Sequence, residues 1–186
     1  MLQPPLGLAE AKAALWAELK RAAADKQHAW RTPVLATVNG QAADARTVIL
    51  REVDAPNNEL RFYTDERGAK VSQLRRHPLG TLLMWSPTLS WQLRCRVVLS
   101  VDMAGLAATS RWARIMLTPA AQDYLALRPP GTPLEPAGDA PNPSPAQPVH
   151  FAVVTAQVLS MDWLELNRAG HRRALIDDQG ARWIEP

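Results

Sequence analysis

The sequence has a single cysteine, only four lysines and no long apolar run. With Cys95 alone, no intrachain disulfide can form, which fits a reducing compartment. No apolar run approaches the ~18 residues of a membrane span. The N-terminus lacks the basic start and apolar block of a secretory signal. We therefore expect a cytoplasmic protein without membrane contact.

Motifs of several common enzyme classes are also missing. No two of the nine glycines lie two apart, so the dinucleotide-binding fingerprint is absent, and there is no P-loop or G-x-S-x-G motif. The four histidines are too scattered to predict a zinc or iron site with one cysteine. Cys95 shares one face of a predicted strand with Leu93 and Val97, which indicates a buried, inert thiol.

Charge and composition predict one ordinary globular domain over residues 1–186. The net charge is +3, and the 17 arginines and four lysines are spread along the chain without a basic run. Hydrophobic residues make up 47% and charged residues 21%, a usual globular balance. Nucleic acid is therefore not the expected partner, although a basic β-barrel that binds it stays open as an alternative.

Hydrophobic periodicity predicts a mainly β chain with helical additions. Leu8, Leu15 and Leu19 fall on one stripe of an amphipathic helix. Asn39-Gly40 is typical of a tight hairpin turn, and short β-type runs follow it. Many short strands favour an antiparallel barrel. The predicted strands cover 33–38, 46–53, 59–64, 81–85, 91–101, 151–159, 172–177 and 181–184, and the predicted helices cover 8–24, 69–76, 119–127 and a helix capped by Ser110 that ends at Met116.

Residues 129–148 contain eight of the sixteen prolines and only two charged residues. This composition predicts a surface loop with polyproline character. A structureless loop of ~20 residues inside a domain is unusual. A lid, an interface arm and disorder all stay open as explanations.

The stretch from residue 46 to residue 92 supplies the groups that a phosphorylated ring cofactor such as FMN requires. A phosphate carries about −1.5 to −2 charge and needs cations, hydroxyls and backbone N–H groups. Barrel closure could bring Arg46 and Lys70 to one phosphate. Tyr63 and Thr64 end the intervening strand and could add hydroxyl or backbone contacts, and Gln92 supplies an amide.

The period of two along a strand limits how these residues can combine. Gln92, Arg94 and Arg96 share one face, which is therefore either lined by a ligand or solvated. Arg46 and Arg51 lie an odd number of positions apart, so on a regular strand they point to opposite faces. They can serve one ligand only if a bulge intervenes, or they can serve different parts of a site at a subunit junction.

The order and spacing of these residues resemble the FMN-binding core of the pyridoxamine 5'-phosphate oxidase-like family. The matching motifs are R-T-V-I-L-R (46–51), F-Y-T (62–64), Lys70, and Trp85 followed by Gln92. A second cluster keeps the spacing of the family's closing segment, and it consists of Trp163, His171, Arg173 and Trp183. The resemblance covers residues 30–100 and 150–186.

The resemblance implies an antiparallel, FMN-binding split β-barrel that forms a homodimer with FMN at the interface. Arg46 and Lys70 would hold the cofactor phosphate. The ribityl chain and ring would be contacted by Thr47, Val48, Ile49, Arg51, Tyr63, Thr64 and Gln92, and from the partner chain by Trp163 and Arg173. A small-molecule substrate, contacted by Arg51 and His171, would pass a hydride to flavin N5, and dioxygen or another acceptor would reoxidise the flavin.

The chain departs from the oxidase at several positions. Gly68-Ala69-Lys70 replaces a Ser-Arg-Lys run, and Arg67 is a candidate to replace the lost cation. Arg51 replaces a lysine, and Ala169-Gly170-His171 keeps only half of an Arg-x-His substrate pair. The residues that hold the substrate phosphate have no match between positions 109 and 148. FMN binding is thus expected to transfer better than vitamin B6 oxidation, and a non-catalytic FMN storage or sensing module stays open.

Overall fold

The computed structural model describes residues 7–133 and 148–186. The strands are β1 (Val34–Asn39), β2 (Ala42–Thr47), β3 (Leu50–Asp54), β4 (Glu59–Asp65), β5 (Leu79–Ser86), β6 (Trp91–Asp102), β7 (Phe151–Glu165), β8 (Arg172–Asp177) and β9 (Gly180–Ile184). The helices are α1 (Leu8–Ala24), α2 (Ala69–Arg76) and α3 (Leu106–Ile115), and short 3-10 helices cover Ala29–Arg31 and Pro119–Tyr124.

The strand order shows how the sheet becomes a barrel. Antiparallel hydrogen bonding orders the strands β2-β1-β5-β6-β7-β4-β3, and β8 and β9 continue from β7. The two ends of this order, β2 and β3, are consecutive in the chain and are separated only by Val48 and Ile49. The sheet must therefore curl until its ends meet, which gives a barrel split between β2 and β3. The predicted fold class, a mainly β split barrel with helical additions, is confirmed.

Alternation along the strands separates an apolar interior from a polar outer face. On β6, Leu93, Cys95 and Val97 point inward and are fully buried, while the side chains between them point outward. Burial raises the pKa of the Cys95 thiol to about 12, consistent with the predicted inert thiol. Leu15 and Leu19 of α1 join the same core, so the first helix packs on the barrel as its apolar stripe predicts.

Several predicted element bounds need correction. The run predicted as one strand over residues 46–53 is two strands, because the chain must cross from one end of the sheet to the other at Val48 and Ile49. Ser110 lies inside α3, which begins after Gly105, whose φ of 90° favours glycine. The helix predicted over 119–127 is a 3-10 turn that ends at Tyr124, and β7 extends to Glu165 rather than stopping at residue 159.

One prediction falls largely outside the described ranges. Most of the proline-rich loop predicted over 129–148 falls on residues 134–147, which lie outside them. Within the described ranges, no helix is both long and apolar enough to cross a membrane. Nor does any cluster of three or more potential metal ligands occur in the part of the chain that the structure covers.

Candidate cofactor site

Arg46, Thr64 and Lys70 come together where α2 begins, and we call these three residues the cationic cradle. Lys70 Nζ donates a hydrogen bond to Thr64 Oγ1 at 2.7 Å. Burial lowers the pKa of the Lys70 ammonium, and the neighbouring Arg46 guanidinium lowers it further, while the Asp65 carboxylate acts in the opposite direction. Strand β2, strand β4 and helix α2 thus bring two cations and a hydroxyl to one place.

Gly68 lies beside the cationic cradle, immediately before α2. A Cβ atom at this position would lie 3.2 Å from the backbone oxygen of Asp65 and 3.5 Å from Lys70 Nζ. A side chain would therefore enter the space in front of the lysine. The first-turn N–H groups of α2 and the helix dipole add positive potential at the same end. Two cations, a hydroxyl and a helix N-terminus are groups that suit the phosphate of FMN.

A network of polar side chains holds Arg46 in place. Its guanidinium donates hydrogen bonds to Thr37, Asp44 and Gln73. A hydrogen bond from Gln73 lowers the pKa of the Asp44 carboxyl most, and the Arg46 charge lowers it further. Asp44 and Gln73 were given no role from the sequence, because their common partner becomes visible only when α2 packs beside β1 and β2.

A β-bulge occurs at Arg51, between the two arginines of the first motif. Leu50 pairs with Phe62 and Glu52 pairs with Arg61, so Arg51 is the extra residue. Its guanidinium carbon lies 5.6 Å from the centroid of the Tyr63 ring. Its Nε is buried and has no hydrogen-bond partner among the described residues.

Tyr124 was not predicted to take part in the site, but it lies close enough to Arg51 for the arginine to affect its pKa. Burial raises the pKa of the Tyr124 phenol, while the Arg51 charge and a hydrogen bond from Arg51 oppose that rise. The structure therefore places Arg51 near both Tyr63 and Tyr124. No local sequence signal pointed to Tyr124, since it reaches Arg51 across more than seventy residues of chain.

Tyr63, predicted to contact the cofactor, already uses its hydroxyl within the chain. Its Oη donates to Glu52 Oε1 at 2.6 Å. Arg111 of α3 binds the same carboxylate, with Nε 2.8 Å from Oε1 and Nη2 2.7 Å from Oε2. Burial and the Glu52 carboxylate hold the pKa of Tyr63 far above its usual range. This hydroxyl therefore helps to fasten α3 to the barrel, and the contact of Tyr63 with the cofactor stays a prediction.

The predicted ring-contacting residues lie along the split of the barrel and on the outer face of the sheet. Thr47 and Ile49 are exposed, while Val48 is buried and donates its N–H to the Pro33 oxygen at 2.9 Å. Gln92 is half-buried on the outer face, directly opposite the exposed Trp85 in the β5–β6 register.

The residues of the second family cluster do not join the cationic cradle within one chain. Trp163 is 0% exposed in the barrel core and 5.2 Å from Trp91 between ring centroids, so within this chain it packs as a core aromatic, and its approach to a partner's cofactor stays a prediction. Arg173 binds Asp162 through Nε and Nη2, each at 2.9 Å. His171 is exposed in a loop and accepts the Asn167 N–H at 3.2 Å.

Arg67, the candidate replacement for the missing phosphate cation, is engaged elsewhere. Its guanidinium binds both carboxylate oxygens of Asp65, at 3.1 and 2.7 Å. It also donates to the backbone oxygen of Ala126 at 2.8 Å. Arg67 is thus paired with Asp65, whereas Arg46, which is paired with Asp44, is the arginine close enough to Lys70 to lower its pKa.

Comparison with known proteins finds one family model and several solved structures similar to this chain. Residues 13–101 match the family model described as pyridoxamine 5'-phosphate oxidase, FMN-binding domain. A pyridoxamine 5'-phosphate oxidase-related, FMN binding protein from Nostoc punctiforme is 23% identical, with a TM-score of 0.72 over 98% of this chain and 100% of that one. PhzG from Burkholderia lata, in complex with tetrahydrophenazine-1-carboxylic acid, is 13% identical, with a TM-score of 0.71 over 100% and 98%.

A more distant structure shows that the fold also carries other ligands. The heme binding protein from Mycobacterium smegmatis is 14% identical, with a TM-score of 0.52 over 93% of this chain and 59% of that one. No curated protein matches the chain in sequence. Identities this low establish a shared fold and nothing about the ligand.

Fold and site together define the class, a split barrel of the FMN-binding type. The match over residues 13–101 and the shared fold of the structural neighbours confirm the resemblance found in the sequence to the pyridoxamine 5'-phosphate oxidase-like family.

Proposed function

We propose that the chain binds FMN with the cofactor phosphate in the cationic cradle, and that it is a flavin-dependent oxidoreductase. One observation carries the proposal: Arg46 and Lys70 lie close together at the start of α2, where Lys70 also contacts the Thr64 hydroxyl. Two neighbouring cations repel each other, and burial makes the lysine charge still less favourable. A phosphate between them would relieve both effects, which is why this site suits a phosphorylated ligand.

The remaining predicted residues would orient the rest of the cofactor and the substrate. When bound, FMN would supply the hydride acceptor of the reaction. Ile49 and Gln92 are candidates to contact the ring and ribityl chain. Arg51 is the best candidate to hold an anionic group of the substrate, because its buried Nε–H lacks a partner among the described residues and Tyr124 adds a hydroxyl beside it.

The proposed assembly is a homodimer formed through the outer face of the sheet. Strand β5 exposes Leu79 (56%), Leu83 and Trp85 (44%) on this face, and Val38 of β1 is exposed beside them. A second copy would cover these apolar side chains and bring its own residues toward Gln92. Sedimentation equilibrium of the FMN-loaded protein should give twice the mass of one chain.

The proposal is tested by purifying the protein without added cofactor, recording its flavin absorbance and titrating it with FMN. Arg46→Ala and Lys70→Ala should each weaken FMN binding by about 10- to 100-fold, since each removes a charged hydrogen-bond donor worth roughly 1.5–3 kcal/mol. Arg76→Ala, which removes an exposed cation from the far end of α2, should change affinity by less than about twofold. Equal effects of all three substitutions would refute the assignment of the cradle.

Turnover is a separate measurement. A flavin-loaded protein whose bound FMN is not reduced by any amine, pyridoxamine phosphate included, or by a nicotinamide donor would favour the alternative of a non-catalytic FMN-binding module. A colourless protein whose affinity for DNA falls steeply with salt would instead favour the basic nucleic-acid binder.

A further inference from the structure

Gln73 is a buried amide whose polar atoms are all engaged. It lies on α2 with 6% of its surface exposed. Its Oε1 accepts from Arg46 Nη2 and from Thr37 Oγ1, each at 2.8 Å. Its Nε2 donates to Asp44 Oδ2 at 2.8 Å. Partners on both sides fix the amide in one orientation, because the reverse orientation would place its NH2 group against the donors of Arg46.

The same network fixes the direction of the Arg46 side chain. Nη2 donates to Gln73 and Asp44, and Nη1 donates to Thr37, so three of the five guanidinium N–H groups are engaged. The other two N–H groups make no hydrogen bond with any described residue. A long side chain that would otherwise sample several rotamers is thus held beside Lys70 before any ligand arrives.

Helix α2 carries both parts of this arrangement. Lys70 and Gln73 are three residues apart, so they lie on the same face of the helix. Lys70 supplies one cation of the cradle, and Gln73 orients the other. Both roles depend on the same docking of α2 against β1 and β2. Two hydrogen bonds help to maintain this docking: Thr37 donates to Gln73, and Gln73 donates to Asp44.

We propose that Gln73 is a positioning residue for phosphate recognition, acting through Arg46, and that it gives the site its preference for FMN over riboflavin. The inference rests on the proposed FMN binding. Riboflavin has the same ring and ribityl chain without the phosphate, so a residue that acts only through Arg46 should affect FMN and leave riboflavin unchanged.

The test compares dissociation constants for FMN and riboflavin in wild type and Gln73→Met. Met has a similar length and no hydrogen-bonding amide, so Arg46 loses its Gln73 partner with little change in volume. We expect FMN affinity to fall about tenfold, equivalent to one charged hydrogen bond, while riboflavin affinity stays within about twofold. Gln41→Met, in the exposed turn between β1 and β2, is the matched control and should change neither value.

A second variant and a double mutant keep the inference testable if Gln73→Met folds poorly. Gln73→Glu keeps an acceptor for Arg46 but places a carboxylate beside Asp44, and it should also lower the preference for FMN. In an Arg46→Ala background, Gln73→Met should cause no further loss of FMN affinity. Urea unfolding of each apoprotein reports any general loss of stability.

The outcomes separate this inference from the proposed function. If wild type prefers FMN and the Gln73 variants keep that preference, or lose FMN and riboflavin affinity equally, Gln73 is a structural residue and the positioning role is overturned. If wild type binds neither flavin, FMN binding fails, and the positioning role fails with it.

Discussion

The cationic cradle and the segment from Trp163 to Arg173 represent the two halves of one family resemblance, and they behave differently. In the cradle, residues from three elements meet at the start of α2. In the later segment, Trp163 is sealed in the core, and Asp162 already occupies the Arg173 guanidinium. The family model likewise covers the first half and stops at residue 101.

The difference shows which sites one barrel can complete by itself. The cradle is assembled by β2, β4 and α2, which the split barrel holds together in every chain. Arg173 lies on the outer face of β8, where another subunit could reach it. Within the described residues of one chain, Arg173 makes no contact with the cationic cradle. Under the proposed function, the first half would hold the cofactor phosphate within one chain, and the second half would contribute to stability or to a contact between chains.

Removing Trp163 should have the largest effect on the free energy of unfolding. A small effect would contradict the assignment of Trp163 to the core. Trp163→Ala should lower the free energy of unfolding by about 3–5 kcal/mol, since it leaves a large cavity in a close-packed core. Urea unfolding monitored by circular dichroism measures this loss. Trp163→Phe is the milder control, because it fills most of the volume and removes an indole N–H that lacks a partner among the described residues.

FMN titration of Trp163→Phe gives the decisive value. A core role predicts an FMN affinity within about twofold of wild type. A fall in FMN affinity of more than tenfold in a stably folded variant would show that the indole of Trp163 contacts the cofactor.

The pH dependence of FMN binding should sharpen the role of the cradle, with an effect of about tenfold. Burial and Arg46 lower the Lys70 pKa, so in the folded apoprotein the ammonium loses its proton below the ordinary lysine value of about 10.4. In that window the unfolded chain binds more protons, so stability of the apoprotein rises with pH. FMN requires the charged amine, so its affinity should fall as pH rises through the lowered Lys70 pKa.

Flavin titrations between about pH 7 and pH 10 measure this dependence. Lys70→Arg is the control, because a guanidinium stays charged over the whole range. Riboflavin corrects for ionisation of the ring. An identical pH profile for wild type and Lys70→Arg would mean that Lys70 does not face the phosphate.

Local patterns explain how much of the fold was predictable. The bounds of α1 and α2 are set by amphipathic periodicity within each segment, and both were predicted correctly. The break at Val48 and Ile49 was missed, because Arg46 to Val53 reads as one continuous strand. Only closure of the barrel requires the chain to turn there, and closure depends on strands far away in the sequence.

The same distinction applies to the site. Arg46 and Lys70 were predicted because phosphate binding requires cations and the family spacing matches them. Asp44, Gln73 and Arg111 were not, since each acts through a partner on another element. A sequence shows which residues can bind a ligand, whereas the residues that hold them in place become visible only after packing.

Arg173→Ala should have the smallest effect and tests the other side of the comparison. Asp162 is shared by Arg173 and Arg94, so loss of one arginine leaves the carboxylate paired. Partly exposed ion pairs of this kind contribute roughly 0–1 kcal/mol, and we expect unfolding and FMN affinity to change only slightly. Arg94→Ala is the matched control. If Arg173→Ala alone weakened FMN binding as much as Arg46→Ala, Arg173 would have to leave Asp162 for a cofactor bound by the partner chain, and the two halves would form one site across the dimer.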